Sequence, residues 1–250
     1  MTELGLPQTI LACLFDLDGV VTKTAVVHAA AWKETFDAFL RERDGAGYRP
    51  FDAVADYDEY VDGRPRADGV RSFLASRNID LPEGAPEDPP DAQTVNGVGN
   101  RKNELVLEKI RTEGVQAYDG TLRYIDAVRD RGLKTAIVSS SANTLDVLCS
   151  IDAERLFDVR IDGVVARERN LPGKPHPDTF LAAARDLGVD AGQAAVFEDA
   201  LAGMDAGRAG RFGYVVGVDR VGQRDALREH GADVVVDDLA DLLDARGGAA

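Results

Sequence analysis

Four short stretches carry the side chains best suited to polar chemistry: "FDLDG" at 15–19, "VSSSAN" at 138–143, "GKPHPD" at 173–178 and "FEDALAG" at 197–203. Asp16 and Asp18 are one residue apart, and two carboxylates that close repel unless a cation or a shared proton relieves them. Glu198 and Asp199 add two more. Four carboxylates at neighbouring strand tips demand a hard cation, and an all-oxygen donor set suits Mg2+. Ser139, Ser140 and Ser141 open a helical stretch, where hydroxyls and free backbone donors hold phosphate oxygens or simply cap the helix. Lys174, between Gly173 and Pro175, would alone be an ordinary solvated charge. A lone D-x-D would alone be an ordinary turn, with Gly19 permitting its tight path. What points to chemistry is that the tips of the predicted strands carry the carboxylates and the serines together, with Lys174 in a later loop.

Those strands are the apolar runs at 10–15, 134–140, 158–165, 194–199, 213–218 and 232–238, each short, rich in branched or aromatic residues and bounded by polar residues. Helical periodicity fills most of the intervals. Strand alternating with helix predicts an α/β fold, a Rossmann-like parallel sheet covered on both faces. Ligands of such sheets bind beyond the carboxyl ends of the strands. The interval 25–117 breaks the alternation, with helical stretches and no persuasive strand. It predicts a core domain of 1–24 and 118–250 with an inserted helical domain of 25–117, a lid able to shield the chemistry from water. The stretch "LPEGAPEDPPDAQ" at 81–93 reads as a surface loop within it.

Composition narrows the partners. A net charge of −15 over 250 residues argues against nonspecific nucleic-acid binding, so a phosphorylated ligand needs a local basic site. No apolar run approaches the roughly 18 residues of a membrane span. The amino terminus lacks basic and apolar signal regions, so a cytoplasmic location is expected, and the chain is expected to be a monomer. Cys13 and Cys149 form no metal-type pair and read as small buried hydrophobes.

Taken together, "FDLDGVVTKT", "VSSSAN", "GKPHPDTF" and "FEDALAGM" resemble the four motifs of the haloacid dehalogenase superfamily, and the insertion resembles the cap of its β-phosphoglucomutase-like branch. The resemblance implies Asp16 as nucleophile, forming an aspartyl phosphate, and Asp18 as general acid and base. It implies Ser139 and Lys174 as holders of the phosphoryl oxygens. The metal set it implies is Asp16, the Asp18 backbone carbonyl and Asp199, with Glu198 acting through water or from behind.

The cap entry "TAVVHAAAWK" places His28 and Trp32 on one helical face. By resemblance they line the sugar site and couple closure to proton transfer. "VDGRPR" gives Arg66, with Arg64 beside it, as the grip on a nontransferring phosphate, and "NRKNELV" gives Lys102 as a substrate contact. Thr24, Ser140 and Asn143 complete the implied substrate set. Without the resemblance, Arg66 and Lys102 would read as solvated helix charges. The implied partner is a small phosphorylated sugar, and the implied reaction converts β-D-glucose 1-phosphate to glucose 6-phosphate through β-glucose 1,6-bisphosphate. A phosphatase that lets water attack the aspartyl phosphate is the alternative. Receiver-type signalling fits less well, because it has no counterpart of Asp18 and no large insertion. Lys23 departs from the branch, which usually has an acidic residue there, and the insertion is longer than usual.

Overall fold

The computed structural model describes residues 3–244; residues 1–2 and 245–250, at the ends of the expected core segments, lie outside the described residues. In chain order the elements begin with β1 (Ala12–Phe15), α1 (Ala25–Asp44), α2 (Arg66–Ser76), α3 (Val95–Glu113), α4 (Asp119–Asp130) and β2 (Lys134–Val138). There follow α5 (Thr144–Ser150), β3 (Val159–Ile161), α6 (Gly163–Glu168), α7 (Asp178–Leu187) and β4 (Ala194–Glu198). The last are α8 (Leu201–Ala209), β5 (Tyr214–Val218), α9 (Arg224–Glu229), β6 (Val234–Val236) and α10 (Asp241–Asp244).

All six strands among the described residues join one parallel sheet in the order β3-β2-β1-β4-β5-β6. The chain steps outward from β1 to β3, then crosses back to β4 on the other side of β1. That reversal is the switch point at which open parallel sheets bind ligands. Register aligns the tips: Phe15 lies opposite Ile137 of β2 and Phe197 of β4. Asp16 is therefore level with Val138 and Glu198, and its N–H donates to the Phe197 carbonyl at 2.9 Å. Burial on both faces explains the continuous apolar runs. Leu14, Val138 and Val196 pack with Phe180 and Met204 in one cluster, while Phe15 stacks on Phe197 at 4.4 Å and meets the edge of Tyr124.

The chain divides into two compact units, Thr24–Gly114 and the remainder. The first contains no strand among its residues and has its own aromatic core. Trp32 and Phe36 of α1 stack at 4.9 Å, and Phe36 lies 4.1 Å from Phe73 of α2. The 81–93 stretch is irregular, as its prolines require. It is pinned nonetheless, since Arg71 pairs with Glu83 and the Asn100 side chain donates to the carbonyls of Pro86 and Asp88 at 3.0 and 2.8 Å.

In the sheet-bearing unit, the segments that lead out to and back from Thr24–Gly114 pair with each other. Lys23 N–H donates to the Gln116 carbonyl at 2.8 Å, Thr22 bridges Ala117, and Tyr118 N–H donates to the Val21 carbonyl at 3.0 Å.

Three local expectations are corrected. The run at 158–165 is a strand only to Ile161, because the Asp162 carboxylate accepts from the N–H groups of Val164 and Val165 at 3.0 and 2.9 Å and starts α6. The serines do not open α5, which begins at Thr144. They form hydroxyl-stabilised turns before it, with Ser139 Oγ accepting from Ser141 N–H at 3.0 Å and Ser141 Oγ from Asn143 N–H at 3.2 Å. Cys13 is buried as expected, but Cys149 is exposed on α5, its thiol donating to Glu154 Oε2 at 2.8 Å.

Candidate active site

β1 ends at Phe15, and the chain enters a knot of short hydrogen bonds. Val21 and Thr22 N–H groups both donate to the Leu17 carbonyl at 2.9 Å, and Gly19 N–H donates to Thr22 O at 2.7 Å. Gly19 has φ +94°, and a Cβ there would overlap the Asp199 carboxylate. Glycine is thus required twice, by conformation and by space. This knot holds Asp16 and Asp18 at the strand tip beside Asp199.

Lys174 reaches the same point from the loop before α7. Its Nζ is 2.5 Å from Asp16 Oδ1, 2.5 Å from Glu198 Oε1 and 3.1 Å from the Val138 carbonyl. The Lys174 side chain is 1% exposed and that of Glu198 not at all. Glu198 Oε2 accepts from Asp199 and Ala200 N–H at 3.1 Å each. A Cβ on Gly203, one turn into α8, would collide with the same carboxylate. Glu198 is therefore locked against Lys174 on every side. Ser139 is buried at the tip of β2 and donates its N–H to the Ile161 carbonyl at 3.0 Å.

The electrostatics follow from burial. Desolvation pushes Asp16 well above the ordinary carboxylate range; Lys174 draws it back, and Glu198 and Asp18 push it up again. Burial works against the Lys174 ammonium, but Asp16 and Glu198 outweigh it and hold its pKa above the ordinary lysine value. Asp16, Glu198 and Asp199 are all buried, and each can place one carboxylate oxygen within 4.8 Å of the others. Three carboxylates against one ammonium leave negative charge in excess. A hard cation fits this oxygen set and would offset that excess.

The remaining sequence-predicted residues fall into two groups. Ser140 and Asn143 lie in the turns after Ser139. Thr24, His28, Trp32, Arg66 and Lys102 all belong to the helical unit. Thr24 is buried where α1 begins, its carbonyl accepting from His28 N–H at 2.9 Å. Lys102 is no solvated helix charge: it is 6% exposed, 4.8 Å above the Trp32 ring and 2.8 Å from His28 Nδ1. An ammonium can only donate, so His28 accepts at Nδ1 and a neutral ring carries its proton on Nε2. Arg66 Nη2 donates to Asn100 Oδ1 at 3.0 Å.

This architecture has known relatives. The profile of the haloacid dehalogenase-like hydrolases matches residues 10–211. The chain belongs to that family. Within it, the β-phosphoglucomutase of Mycobacterium bovis is 56% identical over 246 residues, spanning 96% of this chain and 94% of its own. The β-phosphoglucomutase of Bacillus subtilis is 32% identical, spanning 92% and 91% of the two chains. The crystal structure of β-phosphoglucomutase from Clostridium difficile superposes with a TM-score of 0.74 at 26% identity, over 93% of each chain.

Sequence reasoning missed the groups that hold the dehalogenase-type loops from behind. Arg220 Nε donates to the Gly19 carbonyl at 2.7 Å, and Gln223 Nε2 donates to the Asp199 carbonyl at 3.0 Å. Their one signal was position, in "VGVDRVGQ", directly after a strand tip. Asn100 was missed too: it joins Arg66 to the carbonyls of Pro86 and Asp88, contacts that no motif displays. No described helix is long and apolar enough to cross a membrane.

Proposed function

We propose that the chain is a mutase that converts β-D-glucose 1-phosphate to glucose 6-phosphate through β-glucose 1,6-bisphosphate. The observation that carries this reading is the 56% identity to a β-phosphoglucomutase along 96% of the chain. Asp16, Asp18, Lys174 and Asp199 are the residues such chemistry requires.

In the first half-reaction the sugar 6-hydroxyl attacks the phosphorus of phospho-Asp16. Its proton passes to Asp18, and the Asp16 carboxylate departs. The bisphosphate then presents its other end. Asp16 attacks the 1-phosphate, the sugar oxygen leaves with the proton from Asp18, and glucose 6-phosphate is released. Lys174 and Ser139 hold the phosphoryl oxygens, Lys174 also keeping Asp16 and Glu198 compatible at 2.5 Å each. Asp16, Asp199 and the Asp18 carbonyl would hold Mg2+, with Glu198 behind; when bound, the ion supplies Lewis-acid stabilisation of the transferring phosphoryl group.

A bisphosphate also needs a second anion site. We assign it to Arg66 of the helical unit, whose planar fork suits phosphate. Thr24, Ser140 and Asn143 are assigned to the substrate, and Trp32 to the sugar face. Lys102, bonded to His28, is assigned to hold that ring. The helical unit then acts as a cap, and the protein works as a cytoplasmic monomer on a small phosphorylated sugar.

The hydrolase description of the family fits the alternative in which water replaces the second hydroxyl. One experiment separates them. With Mg2+, β-glucose 1-phosphate and a trace of β-glucose 1,6-bisphosphate, glucose 6-phosphate should form with little inorganic phosphate. Phosphate release without isomerisation would replace the mutase with a phosphatase. Asp16→Ala should abolish either activity.

A further inference from the structure

Arg220 lies in the loop between β5 and α9 and joins parts of the site unit that are far apart in sequence. Its Nε donates to the Gly19 carbonyl at 2.7 Å, one residue past Asp18, and Nη1 donates to the Asp237 carbonyl at 2.8 Å. Its guanidinium carbon sits 3.5 Å from the ring centroid of Tyr118. Tyr118 ends the segment that returns from the helical unit, and its N–H donates to Val21 O at 3.0 Å. Lys23, on the outgoing segment, places Nζ 5.6 Å from the same ring and 3.4 Å from Gln116 Oε1.

The Tyr118 ring therefore stands against two cations, one on the outgoing segment and one bonded to the turn that carries Asp18. A guanidinium can stack on a ring and donate in its own plane at the same time, which an ammonium cannot. The loop itself is stiff, since the Asp219 carboxylate accepts from Gly222 and Gln223 N–H at 2.7 and 2.9 Å. Lys23 thus has a local partner.

We infer that Arg220, stacked on Tyr118, is a positioning residue that fixes the Asp18 turn relative to the two segments bordering Thr24–Gly114. It touches no reacting atom. Its effect falls on the proton transfer at Asp18, because the carbonyl it grips belongs to the next residue. The inference rests on the reading of Asp18 as acid and base, not on the identity of the sugar.

The test compares the full-length parent with Arg220→Ala, Arg220→Lys and Tyr118→Leu, all with Mg2+. Two substrates are used, β-glucose 1-phosphate with trace bisphosphate and the generic ester p-nitrophenyl phosphate. Arg220→Ala should lower kcat about 10- to 100-fold, the usual scale for losing a group that orients a catalytic residue, with KM within about twofold. Added guanidinium ion should restore part of the lost kcat in Arg220→Ala, while ammonium at equal ionic strength should not. Arg220→Lys and Tyr118→Leu should each lose less than Arg220→Ala.

Unchanged kcat in Arg220→Ala, or a loss that guanidinium does not repair, would overturn the inference. A parent that turns over only the generic ester would instead overturn the mutase reading, and the same variants would still decide the role of Arg220. Arg220→Lys keeps the test valid if the alanine variant does not fold: kcat equal to the parent's would overturn the inference, and a loss in kcat alone would support it.

Discussion

Replacing Lys174 by Met tests the electrostatic account of the site most directly. The substitution keeps an unbranched chain of similar length and removes the one ammonium lying 2.5 Å from both Asp16 Oδ1 and Glu198 Oε1. Breaking a buried pair by deleting one partner costs about 3–5 kcal/mol, because the abandoned charge stays desolvated. Here two carboxylates lose the same partner, and protonation of one of them keeps the cost within that range. For a chain of this size each kcal/mol shifts Tm by about 2–4 °C, so a fall of roughly 6–20 °C is expected. Activity should fall further than stability. Loss of one preorganised charge at a transferring group costs on the order of 100- to 1,000-fold in kcat, and a protonated Asp16 cannot attack phosphorus. The assay is thermal unfolding followed by circular dichroism, with and without Mg2+, beside glucose 6-phosphate formation. Mg2+ should recover part of the lost Tm. A variant that melts within about 3 °C of the parent and keeps more than a tenth of its kcat would refute the claim that Lys174 holds the buried Asp16 and Glu198 carboxylates together.

Gly19→Ala should be inactive and destabilised by well over the roughly 1 kcal/mol of an ordinary glycine replacement, since its Cβ would enter the Asp199 carboxylate at φ +94°; wild-type kcat in a purified Gly19→Ala enzyme would disprove the packing. Arg66→Ala should lower isomerisation at least tenfold more than phosphate release from p-nitrophenyl phosphate, and Asn100→Ala should reproduce part of that difference by freeing the Arg66 fork; equal losses on both substrates would remove Arg66 from the second phosphate site. Asp58 is raised from 3.8 to about 6 by burial and by Asp52. A carboxyl raised on folding binds its proton more tightly in the native state, so its contribution to stability is greatest in acid and declines as pH rises from about 4 to 6. Asp58→Asn should therefore raise Tm by roughly 2–4 °C at pH 7.5, about 1 kcal/mol after solvent screening, and by nothing measurable at pH 4; a pH-independent difference would contradict the shift.

The alternation of apolar runs with helical periodicity was enough to predict the parallel sheet, because strands buried on both faces must be continuously apolar and helices covering them must be amphipathic. It also sets 25–117 apart in the sequence, since that interval contains no such run. The carboxylates and Ser139 were legible for a related reason: they stand at or just after strand ends, and the ends of parallel strands converge at one edge of the sheet, whereas Lys174 arrives from the loop between α6 and α7. Local competition was less legible. Asp162 stops a strand by capping the next helix, Cys149 falls on an exposed helical face, and the three serines turn the chain before α5 begins.

Residue types and their order along the chain therefore determined the fold class and pointed to a cluster of carboxylates suited to a cation. Only the tertiary structure decided that Glu198 faces Lys174, that Lys102 is buried against Trp32 and His28, and that Arg220 grips the turn after Asp18. These are contacts across 24 to 201 residues of sequence, the last of them made to a backbone carbonyl. A carbonyl is present at every position and marks none, so its partner becomes visible only when folding sets it in place.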